Sequence, residues 1–251
     1  MNANNFNPED LFLATQKFYA ANELFHAQNY AEAIKLYTEV IELYPYEAMA
    51  YYNRGVSYEE LGQFELAVID FHKTIQLQPS YANAYFNLGD ASANLGQHEL
   101  AIKSYDMVIA LEPNNAEAYY NRGDSYHNLE QFKRAIKDYG TAIRLNPNHT
   151  SAYCNRGIVY NNLEQYKRAI KDFNKAIQLN PNDADIYTNR GSVYYGLGQY
   201  ERAIHDFDKA IALNPNLSPA YNNRGYAYQS IGDDVKAQAD FAKAKELGYK
   251  G

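Results

Sequence analysis

The sequence contains no tryptophan, a single cysteine and no long apolar run. Because Cys154 is the only thiol among 251 residues, an internal disulfide is excluded, and we expect a reducing, cytoplasmic location. No stretch reaches the roughly 18 consecutive apolar residues that a membrane-spanning helix requires. The N-terminus has neither a basic nor an apolar segment, so a secretory signal is not expected.

Basic residues are also scarce, since 23 Lys and Arg face 30 Asp and Glu, and the formal net charge is −7. Without a basic stripe, neither nucleic acid nor an anionic membrane is an expected partner. The chain has no phosphate-binding loop and no G-x-S-x-G motif, and its six histidines do not fall at zinc-ligand spacings. We therefore expect no catalytic residue, no bound metal and no cofactor, and the chain is predicted not to be an enzyme.

Tyrosine is abundant, with 26 residues that recur at fixed intervals, and the prolines reveal the period. Six prolines lie 34 residues apart, at Pro45, Pro79, Pro113, Pro147, Pro181 and Pro215. Such a period indicates a repeat architecture. After an N-terminal extension at 1–13, a single solenoid domain at 14–251 is predicted to consist of seven repeats, at 14–47, 48–81, 82–115, 116–149, 150–183, 184–217 and 218–251.

The sixth repeat shows the pattern within each repeat. Tyr187, Gly191 and Tyr194 share one stripe of a predicted first helix, and a second apolar stripe follows at helical spacing. Between them, Gly198 can adopt the left-handed conformation that ends a helix. Pro215 ends the second helix, because the residue before a proline disfavours helix. We therefore predict about fourteen helices and no sheet.

This pattern resembles the tetratricopeptide repeat. Counting each repeat from position 1, that family has small residues at positions 8, 20 and 27, aromatic residues at 11 and 24, and proline at 32. Position 8 is glycine in repeats 2–7, at Gly55, Gly89, Gly123, Gly157, Gly191 and Gly225. Position 20 is alanine in all seven, at Ala33, Ala67, Ala101, Ala135, Ala169, Ala203 and Ala237. The resemblance implies an all-α, right-handed superhelical solenoid that acts as a non-catalytic protein-interaction scaffold or adaptor, with its first helices lining a concave groove.

Two positions change together among the repeats of this chain. Position 7 is arginine and position 23 aspartate in five repeats: Arg54 and Asp70, Arg122 and Asp138, Arg156 and Asp172, Arg190 and Asp206, Arg224 and Asp240. Repeats 1 and 3 carry neither residue. We predict a structural ion pair between the two helices of a repeat; the alternative is that the arginines also reach a ligand.

The last repeat departs from the others at two apolar positions. Gln238 replaces the Ile or Val of position 21, and Lys245 replaces the Ile of position 28. A polar outer face is typical of the capping helix of a repeat array. The expectation is that the array ends here, with Gly251 at or near the natural end.

The predicted concave face carries an asparagine row at position 6 of repeats 2–7: Asn53, Asn87, Asn121, Asn155, Asn189 and Asn223. The row resembles the asparagine ladder that lines the peptide-binding groove of O-GlcNAc transferase repeats. A carboxamide offers one acceptor and two donors, which match the two polar groups of a peptide unit. The row is therefore predicted to hold the backbone of an extended peptide. Alternatively, each asparagine only ties its helix to the neighbouring repeat.

Other inward positions favour a neutral or basic peptide. An aromatic row is predicted at Tyr52, Phe86 and Tyr120, as anchors for the peptide or as packing between repeats. Carboxylates occupy further inward positions at Glu59, Glu60, Asp90, Glu117, Asp124 and Asp185, and no Lys or Arg does. This argues against the subclass of the family that grips C-terminal carboxylates with inward basic residues.

A second functional class is a self-assembling scaffold, a homo-oligomer whose groove or ends receive another copy of the chain. The N-terminal extension suits this role, because Phe6, Leu11, Phe12 and Leu13 need apolar cover. Alternatively, the extension lengthens the first helix, with an N-cap at Asn7 before Pro8.

Overall fold

The computed structural model describes residues 7–250, which form fourteen α-helices and no β-strand. The helices are α1 Pro8–His26, α2 Tyr30–Leu43, α3 Ala48–Glu60, α4 Phe64–Leu77, α5 Ala82–Asn94, α6 His98–Leu111, α7 Ala116–Asn128, α8 Phe132–Leu145, α9 Thr150–Asn162, α10 Tyr166–Leu179, α11 Ala184–Gly196, α12 Tyr200–Leu213, α13 Ser218–Ser230 and α14 Asp234–Glu246. Odd-numbered helices are the first helices of the seven repeats, and even-numbered helices are the second. The predicted all-α fold is confirmed.

The helices form two compact halves, with the boundary between Gln131 and Phe132. The N-terminal half contains α1–α7 and the C-terminal half α8–α14. In each half, every helix packs on the next one along the chain. Successive first helices of a half also contact each other, whereas among the described residues its second helices do not. Each half therefore curves with its first helices on the inner side.

Close packing inside a repeat depends on the glycine at position 8. A Cβ atom added to Gly89 would lie 2.5 Å from the ring of Tyr105, and one added to Gly191 would lie 2.7 Å from the ring of Phe207. These rings occupy position 24 of the same repeat, so the aromatic side chain fills the space between the two helices of its own repeat. Both rings are fully buried, which is the packing that a core of interior density requires.

The predicted ion pair is present in repeats 2, 5, 6 and 7, the four repeats that carry both residues and lie within one half. Arg190 Nε and Nη2 donate to the two carboxylate oxygens of Asp206 at 2.7 Å each. The same two-pronged geometry holds for Arg54 with Asp70, Arg156 with Asp172, and Arg224 with Asp240. The aspartates are buried. Such paired bonds hold both side chains in a fixed orientation.

Each of these arginines has further partners, so the predicted pairing covers only part of its role. Arg190 Nη1 also donates to Asn174 of the preceding second helix at 2.6 Å, and its guanidinium lies 5.7 Å from the ring centre of Tyr187 and 5.8 Å from that of Tyr194. Position 25 of the preceding repeat supplies the same kind of acceptor to three other arginines, through Thr38, Asp106 and Asp208. Arg54, Arg122, Arg190 and Arg224 therefore join successive repeats, and these contacts favour a structural role over ligand binding.

The helix termini follow the sequence signals. Asn7 caps α1, where its Oδ1 accepts from the backbone N–H of Glu9 at 3.2 Å, and Gly198 has the positive φ of 70° that its turn requires. Leu11, Phe12 and Leu13 therefore lie within α1, as one of the two alternatives predicted, whereas Phe6 lies outside the described residues. Gln238 and Lys245 are both exposed on α14.

Candidate peptide-binding face

The asparagines of position 6 are all half-buried on the first helices, and most of them bond to the repeat before. The bonds run from Asn53 Nδ2 to Asn22 Oδ1 at 2.9 Å, Asn87 Nδ2 to Tyr52 OH at 3.3 Å, Asn121 Nδ2 to Asp90 Oδ1 at 3.0 Å, Asn189 Nδ2 to Cys154 Sγ at 3.9 Å, and Asn223 Nδ2 to Ser192 Oγ at 3.3 Å. The acceptor belongs to the preceding repeat. It lies at position 9 of that repeat when the residue there is polar, and at position 5 when the residue at position 9 is apolar. The asparagine row therefore does tie neighbouring repeats together.

These bonds use only the amide nitrogen. The Oδ1 atoms of Asn53, Asn87, Asn121 and Asn189 accept no hydrogen bond from any described residue, whereas Asn223 Oδ1 accepts from the side chain of Asn222 at 3.3 Å. A carboxamide held by its nitrogen presents its carbonyl oxygen in a fixed orientation. Four asparagines thus combine a structural bond with an available acceptor on the inner side of a half.

In some repeats, a tyrosine of the second helix donates a hydrogen bond to the first-helix side chain that also accepts from the asparagine of the next repeat. The sequence analysis missed this bond. Tyr37 OH donates to Asn22 Oδ1 at 2.7 Å, and Tyr105 OH donates to Asp90 Oδ1 at 2.6 Å. The sequence carries a signal for it: position 24 is Tyr where position 9 is Asn or Asp, in repeats 1, 3 and 4, and Phe in the other four. A phenol is present where the first helix offers it a strong acceptor.

The predicted aromatic row is half-buried rather than open. The ring of Tyr52 lies 4.9 Å from that of Tyr81 and 6.0 Å from that of Phe71, and the ring of Phe86 lies 6.0 Å from that of Tyr105. These contacts support the packing alternative for Tyr52 and Phe86. Burial also raises the pKa of Tyr52 to about 12, so its hydroxyl stays protonated at neutral pH.

An acidic cavity of about 370 Å³ opens on the first helices of repeats 2–4. Its wall includes three of the predicted inward carboxylates, Glu59, Asp90 and Asp124, together with Asn121 and the side chain of His98. The other three predicted carboxylates, Glu60, Glu117 and Asp185, are exposed. The inward acidic charge is therefore concentrated in one place in the N-terminal half.

The polar atoms of this acidic cavity are incompletely satisfied. Asp90 receives both of its side-chain hydrogen bonds on Oδ1, and its Oδ2 accepts none from the described residues. Glu59 accepts no hydrogen bond from them either, and burial together with the charges of Asp90 and Glu60 raises its pKa to about 7. His98 Nδ1 is buried without a partner in the described part of the chain. Buried polar atoms without partners are rare in folded proteins and call for an explanation.

A smaller cavity of about 130 Å³ lies at the equivalent positions of repeats 6 and 7 in the C-terminal half. It is lined by Ser192, Tyr195, Phe207, Asn223 and Tyr226, which match Asp90, Ala93, Tyr105, Asn121 and Asp124 in repeat position. The same part of the repeat thus carries an acidic cavity in one half and an aromatic cavity in the other.

Two features are absent from the described residues. Between residues 7 and 250, no helix is both long enough and apolar enough to cross a bilayer. Within the same range, no group of three or more His, Cys, Asp or Glu side chains is arranged to hold a metal ion.

Solved structures similar to this chain are repeat proteins. The crystal structure of the MamA protein matches with 30% identity and a TM-score of 0.61, over 67% of this chain and 92% of the other. YrrB, described as a TPR protein with an unusual peptide-binding site, matches with 26% identity and a TM-score of 0.62, over 73% and 95%. The C-terminal part of a TPR repeat-containing protein from Cytophaga hutchinsonii matches with 23% identity and a TM-score of 0.75, over 93% and 96%.

Family profiles match several stretches of the chain. The profile for the tetratricopeptide repeat matches residues 48–81, 116–149, 150–183 and 184–217, and related profiles for the same repeat match 18–45, 89–130 and 207–239. Curated protein sequences give no match. The profile matches cover more than half of the sequence, and the chain belongs to the tetratricopeptide repeat family.

Proposed function

We propose that the protein is a non-catalytic scaffold that binds an extended, neutral or basic peptide on its first helices. The observation that carries the proposal is the set of asparagine Oδ1 atoms without partners at Asn53, Asn87, Asn121 and Asn189. Each is held in place by the bond that its amide nitrogen makes to the preceding repeat. A backbone N–H of the peptide could donate a hydrogen bond to each of these oxygens, and each such bond contributes roughly 0.5–1.5 kcal/mol.

The proposal extends to the aromatic side chains of the same face. Tyr52, Phe86 and Tyr120 are half-buried, and the part of each ring that stays accessible can support an apolar side chain of the peptide. The proposal also includes Asn155 and Asn223, which lie with Asn189 on the first helices of the C-terminal half. The description of YrrB as having an unusual peptide-binding site supports peptide binding in a similar chain.

The test is an unbiased peptide-display selection against the wild-type chain, followed by affinity measurements on the selected peptides. The first variant carries Asn53→Ala, Asn87→Ala and Asn189→Ala together. The control carries Asn148→Ala, Asn182→Ala and Asn216→Ala, which removes three exposed asparagines from loops between repeats. Micromolar binding, near −8 kcal/mol, should weaken by about tenfold or more in the first variant and by less than about twofold in the control.

Circular dichroism on both variants separates binding from folding. The first variant loses three bonds between repeats, so its melting temperature should fall, yet it should remain helical at the temperature of the binding assay. A selection that enriches no peptide, or a folded first variant that binds as tightly as the wild type, contradicts the proposal.

A second candidate is self-association through α1, because its outer face is strongly apolar. Phe12 and Tyr19 expose 66% and 67% of their surface. Beside them lies a cavity of about 220 Å³, whose wall includes Phe18, Val40 and Tyr44. A second copy of the chain could cover this surface.

Light scattering should then give the mass of a dimer for the wild type. The variant that carries Phe12→Ser and Tyr19→Ser should have the mass of a monomer. A wild type that is monomeric at all concentrations excludes this candidate.

A further inference from the structure

The acidic cavity gathers several polar atoms that have no partner among the described residues. In repeats 1 and 2, the equivalent side chains of Tyr37, Asn22 and Asn53 meet at the single carboxamide oxygen of Asn22. In the cavity the corresponding set of Tyr105, Asp90 and Asn121 leaves one carboxylate oxygen unused, and Glu59 and His98 add further atoms without partners.

At the wall of the acidic cavity, repeat 3 differs from the other repeats at positions 12 and 17. Position 17 is aromatic in the other repeats except the last, as in Phe64 and Tyr200, but it is His98 here. Position 12 is Tyr195 in the sixth repeat but Ala93 here, so the space stays open. A small side chain and an imidazole thus replace the side chains that could fill or close the cavity.

The free atoms are all able to accept hydrogen bonds. They are the two oxygens of the Glu59 carboxylate, Oδ2 of Asp90, and Nδ1 of His98 in the tautomer that carries its proton on Nε2. No cationic side chain lines the cavity, and its wall holds three carboxyl groups, those of Glu59, Asp90 and Asp124. Ionised carboxyl groups in such a place are costly, and the cost falls when a proton or an opposite charge joins them.

We propose that the acidic cavity binds an arginine side chain of the peptide ligand. A guanidinium carries five N–H donors in a planar fork, which can reach two carboxylates and an imidazole nitrogen at once. Lysine offers a single point charge with three donors and suits this divided set of acceptors less well. The inference rests on the proposed function for the source of the arginine, but the cavity itself can be tested without a peptide.

The probe is N-acetyl-arginine amide, titrated into the full chain and followed by NMR of the Asn121 side-chain amide. Its matched control is N-acetyl-citrulline amide, which has nearly the same shape and no charge. We expect dissociation in the millimolar range for the arginine probe, as for a small ligand held by few contacts, and binding about tenfold weaker for the citrulline probe.

Two variants with the same charge change locate the binding. Glu59→Gln should weaken binding of the arginine probe by about fivefold or more, because it removes a carboxylate from the cavity wall. Glu60→Gln removes the neighbouring exposed carboxylate and should change binding by less than about twofold.

Three results would overturn the inference: equal binding of the two probes, no shift at Asn121 up to about 50 mM, or equal affinity of the arginine probe for wild type and Glu59→Gln. The outcome is independent of the peptide selection. If peptides bind through the asparagine row and the cavity ignores arginine, this inference fails alone. If the cavity binds arginine but no peptide is selected, the proposed function fails.

Discussion

The cavity of repeats 2–4 and the cavity of repeats 6 and 7 lie at the same repeat positions yet offer opposite chemistry. Asp90 and Asp124 in the first correspond to Ser192 and Tyr226 in the second. The aromatic cavity is also smaller, about 130 Å³ against about 370 Å³, because tyrosines occupy space that smaller side chains leave open. One helical frame can therefore present a charged or an apolar subsite according to a few side chains.

The third and sixth repeats also differ in whether they contain the ion pair. The sixth repeat has Arg190 with Asp206, whereas the third has Leu88 and Ser104, both buried, and Ser104 donates to the backbone of its own helix at 2.9 Å. Repeat 3 therefore shows that the fold accepts an uncharged pair of residues at the two positions where five other repeats carry Arg and Asp. A buried ion pair often contributes little net stability compared with well-packed apolar residues, although breaking one is costly.

The largest expected effect comes from breaking the ion pair on one side only. Asp206→Ala leaves Arg190 inside the repeat without its carboxylate and should reduce the free energy of unfolding by about 3–5 kcal/mol. Adding Arg190→Leu and replacing Asp206 by Ser, as in repeat 3, should recover more than half of that loss. Urea unfolding of the wild type, Arg190→Leu, Asp206→Ser and the double variant measures the coupling, and strictly additive effects would contradict the pairing.

An intermediate effect is expected at the glycine contacts, and it tests how firmly each ring is held. Gly89→Ala forces a methyl group against Tyr105, which is tied to Asp90 and cannot easily move, whereas Gly191→Ala meets Phe207, which has no such tie. Overpacking costs about 1–3 kcal/mol, and we expect Gly89→Ala to lie at the upper end and Gly191→Ala lower. Thermal unfolding gives the order, and the reverse order would show that the Tyr105 bond does not stiffen the cavity.

The smallest effect concerns Glu59, and it depends on pH. The pKa of Glu59 is raised from 4.5 to about 7, so the folded chain binds its proton more tightly than the unfolded chain does. Stability contributed by this group therefore falls as pH rises from about 4.5 to about 7 and stays low above that. The titratable groups that surround Glu59 are Glu60 on its own helix, Asp90 on α5, His98 on α6 and Asp124 on α7.

Because glutamine cannot be charged, Glu59→Gln should raise the free energy of unfolding at pH 8 by about 1–2 kcal/mol, allowing for the partial exposure of Glu59. At pH 4 the gain should disappear, since glutamate is then protonated in both states. Denaturant unfolding at the two pH values measures it. A variant that is less stable than the wild type at pH 8 would mean that Glu59 has a stabilising partner.

The sequence determined the repeat and its period, because prolines, glycines and alanines recur at 34-residue spacing along the chain. It also predicted the Arg–Asp pairs, because positions 7 and 23 carry Arg and Asp in the same five repeats and neither residue in the other two. The change of Tyr and Phe at position 24 with position 9 was equally readable from the sequence, and it predicts the Tyr105–Asp90 bond.

Tertiary structure alone decided which atoms remain without partners. That Asn87 bonds to Tyr52, and that its Oδ1 stays free, depends on how two repeats pack, which no single repeat encodes. The acidic cavity likewise arises where Glu59 of repeat 2, Asp90 and His98 of repeat 3, and Asp124 of repeat 4 meet. The sequence named the inward carboxylates one by one, but their shared cavity and the raised pKa of Glu59 follow from distances and burial, which only the packing of three successive repeats fixes.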